Sequence, residues 1–199
     1  KIKNNYLFKF NIKGIIKTFI ISKELSNYKE NILASLSIIS NSFNVKKLKK
    51  NLFMGFCIPK SRGSLFSYRK GSKNLIILDE SYNSNPLSLK FALEKLNSIN
   101  MKKNKKFLLI GDMLELGKYS KKLHMDIAKY INNSKISKTY VYGNYTKHTF
   151  NKLRPQIRGR ILNNTMDIYN LINEGLPNNS LLMVKGSNST GLNKLIQKL

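Results

Sequence analysis

The stretch Leu75-Ile76-Ile77-Leu78-Asp79-Glu80-Ser81-Tyr82-Asn83-Ser84-Asn85-Pro86 decides the reading of this chain. Four consecutive apolar residues read as a buried strand. They run into two carboxylates, a phenol and two carboxamides. Pro86 then suits the first turn of a helix beginning near Leu87, where a missing N–H costs nothing. In an open α/β sheet, ligands bind at the carboxyl ends of strands. Ser81, Asn83 and Asn85 are also what a turn and a helix cap require. That accounts for the amides but not for two adjacent acids.

Acids are scarce here, with 10 Asp and Glu against 36 Lys and Arg. Four of them fall in two short segments, Asp79 and Glu80, then Asp112 and Glu115 of Gly111-Asp112-Met113-Leu114-Glu115-Leu116-Gly117. The second segment also follows an apolar run, Phe107-Leu108-Leu109-Ile110. Two strand ends with clustered carboxylates suggest one polar site, suited to a metal-bound nucleotide or an amine.

The same alternation continues. Apolar strands are predicted at about 75–79, 107–111, 139–143, 157–162 and 181–185, with helices at about 87–99, 119–132, 165–174 and 190–199. Regular β-α alternation argues for an α/β fold, a Rossmann-like, doubly wound, mostly parallel sheet. Upstream, Tyr6 to Ile12 and Ile16 to Ile21 read as a hairpin around Lys13-Gly14. Asn31 to Ser40 reads as a helix and Val45 to Phe53 as a shorter one. Pro59 and Gly63 bracket the basic connector Lys60-Ser61-Arg62, which places a domain boundary between residues 1–59 and 60–199.

The single Cys57 excludes a disulfide framework and fits a reducing compartment. No signal peptide is visible and no apolar run approaches about 18 residues, so a cytoplasmic protein without a membrane span is expected. The net charge of +26 invites a nucleic-acid reading. However, Lys outnumbers Arg 31 to 5, and the chain holds 26 Asn. Enriched Lys, Asn and Ile spread along the whole chain is what an AT-biased coding sequence yields, so no specific nucleic-acid partner is expected. His124 and His148 have no Cys or His at ligand spacing, which argues against zinc. The nearest approach to a P-loop, Gly111 to Ser120, fails. It has five residues between its glycines instead of four, and Tyr119 stands where Ser or Thr would hold magnesium.

One more segment carries chemistry. Lys185-Gly186-Ser187-Asn188-Ser189 follows the apolar run Leu181-Leu182-Met183-Val184. A Gly-Ser turn opening a helix offers backbone N–H groups to an anion, although Ser187 or Asn188 also suits a plain N-cap. His124, in a predicted helix just after the acidic loop, either faces the site or caps that loop.

These elements in this order resemble the Mur ligases. That family is similar in an Asp-(Asp/Glu)-Ser-Tyr-Asn-Ala-Asn-Pro segment, a Gly-Asp-Met-x-Glu-Leu-Gly segment, a His shortly after, and a Lys-Gly-Ser segment before the last helix. This chain has residues 79–86, with Ser84 for the usual Ala, then 111–117, His124 and 184–189. Upstream, Asn31-Ile32-Leu33-Ala34 resembles the helix start at the end of the family's central domain, with Asn27 where a His is usual. Ser61-Arg62-Gly63 resembles its Gly-Arg-Gly interdomain segment, with Ser61 for the first Gly.

The resemblance implies that residues 1–59 are the tail of a central ATP-binding domain and 60–199 a C-terminal domain. A UDP-sugar domain and the P-loop would precede them, and Lys1 in first place fits such a fragment. It further implies an ATP- and Mg2+-dependent amide-bond ligase joining D-Ala-D-Ala to UDP-MurNAc-tripeptide through an acyl phosphate. Asn31 would contact adenine, Arg62 the phosphates, and Asp79 or Glu80 the ribose or the closure of the nucleotide site. Tyr82, Asn83 and Asn85 would line the cleft between nucleotide and dipeptide, and Lys185 and Ser187 would sit at the same cleft from the last strand end, with Arg62 and Lys185 as the candidate catalytic residues. Asp112, Glu115 and His124 join these as candidate substrate contacts, and a monomer is expected. Two other readings stay open, a non-catalytic basic nucleotide- or RNA-binding module and a folylpolyglutamate synthase-like ligase.

Overall fold

The computed structural model describes residues 5–23, 25–57 and 59–199. The chain divides into two compact units, Lys1–Pro59 and Lys60–Leu199. Of Asn27, only the backbone lies among the described features.

In the first unit, β1 (Asn5–Ile12) and β2 (Ile15–Ser22) pair antiparallel. Lys13 and Gly14 turn the chain with φ of 49° and 82°, the left-handed pair that matches strand twist in a two-residue hairpin. Helix α1 (Lys29–Ile39) lays Ile32 and Leu36 against Phe10, Ile12, Phe19 and Ile21. The helix expected from Val45 to Phe53 is not there. A single 3-10 turn, Val45–Lys47, is capped by the Asn44 side chain, and a run of turns follows. Lys46 and Lys50 would repel one another across a helical turn. The Lys50 carbonyl instead accepts from the Ile20 N–H of β2 at 2.9 Å.

The second unit is built on six strands, β3 (Ser64–Lys70), β4 (Lys73–Glu80), β5 (Lys106–Gly111), β6 (Lys138–Tyr142), β7 (Arg158–Leu162) and β8 (Ser180–Lys185). Their order is β3-β4-β8-β5-β6-β7, parallel except for the edge strand β3. Strand β3 was not expected. It is half polar and ends on Arg69 and Lys70, charges of the kind that protect an edge strand, and Gly71 turns it into β4 with φ 56°.

Each strand residue serves one face, because side chains alternate across a sheet. Leu108 and Ile110 pack on one side with Leu89, Leu93 and Leu96 of α2 (Pro86–Ser98) and Ile131 of α4 (Ala128–Asn132). Phe107 and Leu109 pack on the other with Ile168 of α6 (Thr165–Asn170) and Leu195 of α7 (Leu192–Ile196). Helices on both faces of a mostly parallel sheet make the fold doubly wound. The helix expected over 119–132 is divided at Ile127 into α3 (Ser120–Asp126) and α4. That expected over 165–174 ends at Asn170 and passes into a π-turn, Leu171–Gly175. Helix α5 (Thr146–Lys152) was missed, since it buries Thr146 and Thr149 rather than an apolar stripe.

The parallel neighbours β5 and β8 finish side by side, at Gly111 and just before Gly186. A Cβ on Gly186 would stand 2.9 Å from Leu192 Cδ1 and 3.3 Å from the Cα of Gly111. Replacement Gly186→Ala should therefore overpack this junction and cost about 1–3 kcal/mol, read as a lowered urea midpoint.

Candidate functional site

All the polar motifs of the second unit lie beyond the carboxyl ends of β4, β5 and β8. Strand β8 holds the middle place, so its register sets Lys185 beside Glu80 on one side and beside Ile110 on the other. Segments far apart in sequence thereby meet at one edge of the sheet.

Lys185 is 2% exposed, and its Nζ donates to the Asn83 carbonyl at 2.7 Å. Burial lowers its pKa to about 8, against the raising effect of Glu80 and with a further lowering by Arg62. Arg62 holds its guanidinium 4.3 Å from the centre of the exposed Tyr82 ring, a cation–π contact. Arg62, Glu80, Tyr82, Asn83 and Lys185 are thus one cluster.

The remaining carboxylates have other work. Asp79 is buried, and it accepts from Ser61 Oγ at 2.7 Å and from the Ser81 N–H at 3.0 Å. It joins the connector to the loop after β4. Asp112 accepts from the N–H groups of Asn144 at 2.9 Å and Thr146 at 2.8 Å, ordering the chain into α5. Glu115 is exposed at φ 63°. Asn85 is the N-cap of α2: its side chain accepts from the Ser88 N–H at 2.8 Å, and Ser88 Oγ accepts in return from the Asn85 N–H at 3.0 Å. That reciprocal box is a standard helix start. Asn83 accepts from the Ser84 N–H.

Ser187 ties the loops together. Its N–H donates to the Asp112 carbonyl at 3.0 Å, and its Oγ accepts from the Leu114 N–H at 2.9 Å and faces the Ser84 carbonyl at 3.5 Å. His124 is fully buried. Its Nε2 accepts from the Met113 N–H at 3.0 Å, and its Nδ1 bonds the Ser120 carbonyl at 2.7 Å as donor. Of the two readings left open for His124, the loop-capping one matches this geometry. Asn31 belongs to the first unit, where it is exposed on α1.

Sequence reasoning missed Lys95, which donates to the Gly63 carbonyl at 2.9 Å and lies 3.5 Å from Glu80 Oε1. It also missed Gln197, whose Nε2 reaches Ser61 Oγ at 3.2 Å. Lys95 is one lysine among 31, with no motif around it. A polar groove of about 320 Å³ opens farther along the same edge, lined by Asp112, Tyr142, Asn144, Lys147, Asn163 and Thr190 among others. Among the described residues, no three Asp, Glu, His or Cys gather as metal ligands, and no helix is long and apolar enough to cross a membrane.

Fold and site are those of an α/β domain whose polar loops gather at one sheet edge, and comparison with known proteins gives the family. Residues 66–188 match the family described as Mur ligase, glutamate ligase domain, and the chain belongs to that family. It is 26% identical over 176 residues to the UDP-N-acetylmuramoyl-tripeptide--D-alanyl-D-alanine ligase of Rickettsia prowazekii (strain Madrid E), covering 88% of this chain and 37% of the relative. The ligase of that name from Bacillus subtilis (strain 168) is 26% identical over 193 residues, covering 96% and 41%. The chain thus spans about two fifths of the length of these curated relatives. In fold it is similar to MurF from Acinetobacter baumannii, with TM-score 0.67 at 19% identity over 98% of this chain and 42% of that one. It is also similar to the Thermotoga maritima MurF ligase in complex with ADP, with TM-score 0.62 at 18% identity over 99% and 43%.

The His124 geometry has a consequence for stability. Burial lowers its pKa from 6.5, outweighing the raising effects of the Ser120 hydrogen bond and Asp112. Below that value the unfolded chain takes up the proton first. Stability contributed by neutral His124 should be complete above pH 6.5 and be lost as pH falls from there through the lowered native value. Urea titrations across this range should show a falling midpoint for the native chain and a flatter profile for His124→Gln.

Proposed function

We propose that this chain is the C-terminal part of a cytoplasmic, ATP-dependent ligase that joins D-Ala-D-Ala to UDP-MurNAc-tripeptide. Residues 1–59 would be the tail of its central ATP-binding domain and 60–199 its C-terminal domain. The observation that carries the reading is the convergence of Arg62, Glu80 and Lys185 from three distant segments at one sheet edge, in a chain of this family. Its similarity to the two tripeptide–D-alanyl-D-alanine ligases supports the choice of substrates. The non-catalytic and folylpolyglutamate synthase-like readings have no such support.

In the proposed reaction the peptide carboxylate attacks the γ-phosphorus of ATP, releasing ADP and forming an acyl phosphate. The amine of D-Ala-D-Ala then adds to the acyl carbon, and collapse of the tetrahedral intermediate releases phosphate. Arg62 lies toward the transferring phosphoryl group, where fixed positive charge is most effective in a closed site. Lys185, with a pKa near 8, stands within the same cluster. Asn31 takes the adenine, Glu80 the ribose side, and Tyr82 and Asn83 line the cleft. Asp79, Asn85, Asp112, His124 and Ser187 support these loops through the bonds given above. The polar groove with Lys147 has room for a dipeptide and a cation for its carboxylate. Asp79 and Asp112 already accept hydrogen bonds within the domain, and among the described residues no three Asp, Glu, His or Cys gather as metal ligands. Mg2+ is therefore assigned to the nucleotide and to residues beyond these 199.

The test is phosphate release with UDP-MurNAc-tripeptide, D-Ala-D-Ala, ATP and Mg2+. The full-length ligase carrying these residues should be active, and the 199-residue chain alone should stay at background because it lacks a P-loop. Activity in the isolated chain, or none in the full-length protein with these substrates, would overturn the proposal.

A second expectation concerns the connector. In the full-length ligase, Arg62→Ala should lower turnover by at least about tenfold, since water cannot replace a guanidinium aimed at phosphate in a closed site. Lys60→Ala, which removes one exposed charge among many, should change little. Equal losses in steady-state kinetics would reduce Arg62 to part of the basic background.

A further inference from the structure

We infer that Lys95, on helix α2 and outside every motif, is a positioning residue that holds Arg62 in place. The inference rests on reading Arg62 as the phosphate contact. Arg62 lies in a kinked segment just before β3, with Ser61 and Gly63 on either side at φ of 62° and 85°. A left-handed residue other than glycine is strained, so the kink persists only if its neighbours over-determine it.

The bonds that do so are specific to each side of Arg62. On the Ser61 side, its carbonyl accepts from the Tyr82 N–H at 3.0 Å, and its Oγ donates to Asp79 Oδ2 at 2.7 Å and meets Gln197 Nε2 at 3.2 Å. On the Gly63 side, the N–H donates to the Asp79 carbonyl at 2.7 Å. The Gly63 carbonyl is held by the Lys95 ammonium at 2.9 Å. Lys95 is in turn oriented by Glu80 Oε1 at 3.5 Å. A Cβ on Gly63 would collide with both Lys95 Nζ and Glu80 Oε1. The glycine is therefore required by φ and by the seat of the lysine together. Every one of these partners belongs to the unit Lys60–Leu199. Arg62 is thus carried by that unit as a fixed lever rather than by a loose connector. A displacement of about an ångström at such a group is enough to cost a large factor in rate.

The experiment has two arms. In the 199-residue chain, Lys95→Met should raise the exchange rate of the Gly63 amide by about tenfold or more, as local opening predicts. Amides of β8 should be unchanged, and Lys95→Arg should restore protection. In the full-length ligase, Lys95→Met should lower kcat about fivefold while leaving KM for D-Ala-D-Ala unchanged. Lys95→Arg should recover most of the loss. In an Arg62→Ala background, Lys95→Met should add nothing, because the group it positions is gone. Unchanged Gly63 exchange in Lys95→Met, or a full additional loss in the Arg62→Ala background, would overturn the inference and leave the functional proposal standing. An inactive wild-type ligase would overturn the functional proposal and the role given to Arg62, whatever the exchange data show.

Discussion

The last strand formed along the chain lies in the middle of the sheet, and the rest of the domain follows from that. All six residues of Ser180–Lys185 are buried. Each backbone donor and acceptor there needs a partner, because an unpaired buried amide is costly. Those partners are supplied by β4 on one side and β5 on the other. The loop leaving β8 then has the loops leaving β4 and β5 as its immediate neighbours. The clustering of polar groups at this edge is a result of topology rather than of any local sequence preference. The pairing joins residues as distant as Leu75 and Ser180, so it forms only after loops on both sides have closed.

Ionisable side chains in this unit divide by the end of the sheet they occupy. Lys106, at the start of β5, is as buried as Lys185 at the end of β8. Its ammonium donates to the carbonyls of Leu96, Asn97 and Ile99 at the end of α2, where a cation favours the helix dipole. Burial and nearby Lys135 push its pKa down, but its donors are fully taken up in the scaffold. Lys185 gives one bond to a loop carbonyl and lies near both Arg62 and Glu80. The same residue type thus closes a helix at one edge and faces a cluster of charges at the other. Among the acids, Asp79 and Asp112 accept from backbone N–H and serine hydroxyl groups, which is what makes their burial tolerable.

Sequence alone determined the alternation of strand and helix, the ends of the five parallel strands and the hairpin at Lys13-Gly14. These are local matters, set by apolar periodicity and by residues suited to left-handed turns. It also marked the segments that meet at the candidate site, because paired acids after apolar runs are conspicuous in so basic a chain. Strand β3 and helix α5 escaped notice, since neither has an apolar pattern distinct from the surrounding lysines and asparagines. The expected helix from Val45 failed because its like charges and the demand of β2 for a partner at Lys50 outweighed its apolar spacing.

Only the tertiary structure decided what each marked residue touches. Asp79 and Glu80 are adjacent in sequence, yet successive strand residues face opposite ways. One accepts from Ser61 and Ser81, while the other lies against Lys95. Asp112 and Glu115 separate in the same manner, into a buried acceptor and an exposed side chain. Lys95 and Gln197 matter because α2 and the chain end return to the connector around Arg62. No composition or spacing shows that, because a hydrogen bond across such a separation is specified by the packing of whole elements and not by any residue's neighbours in sequence.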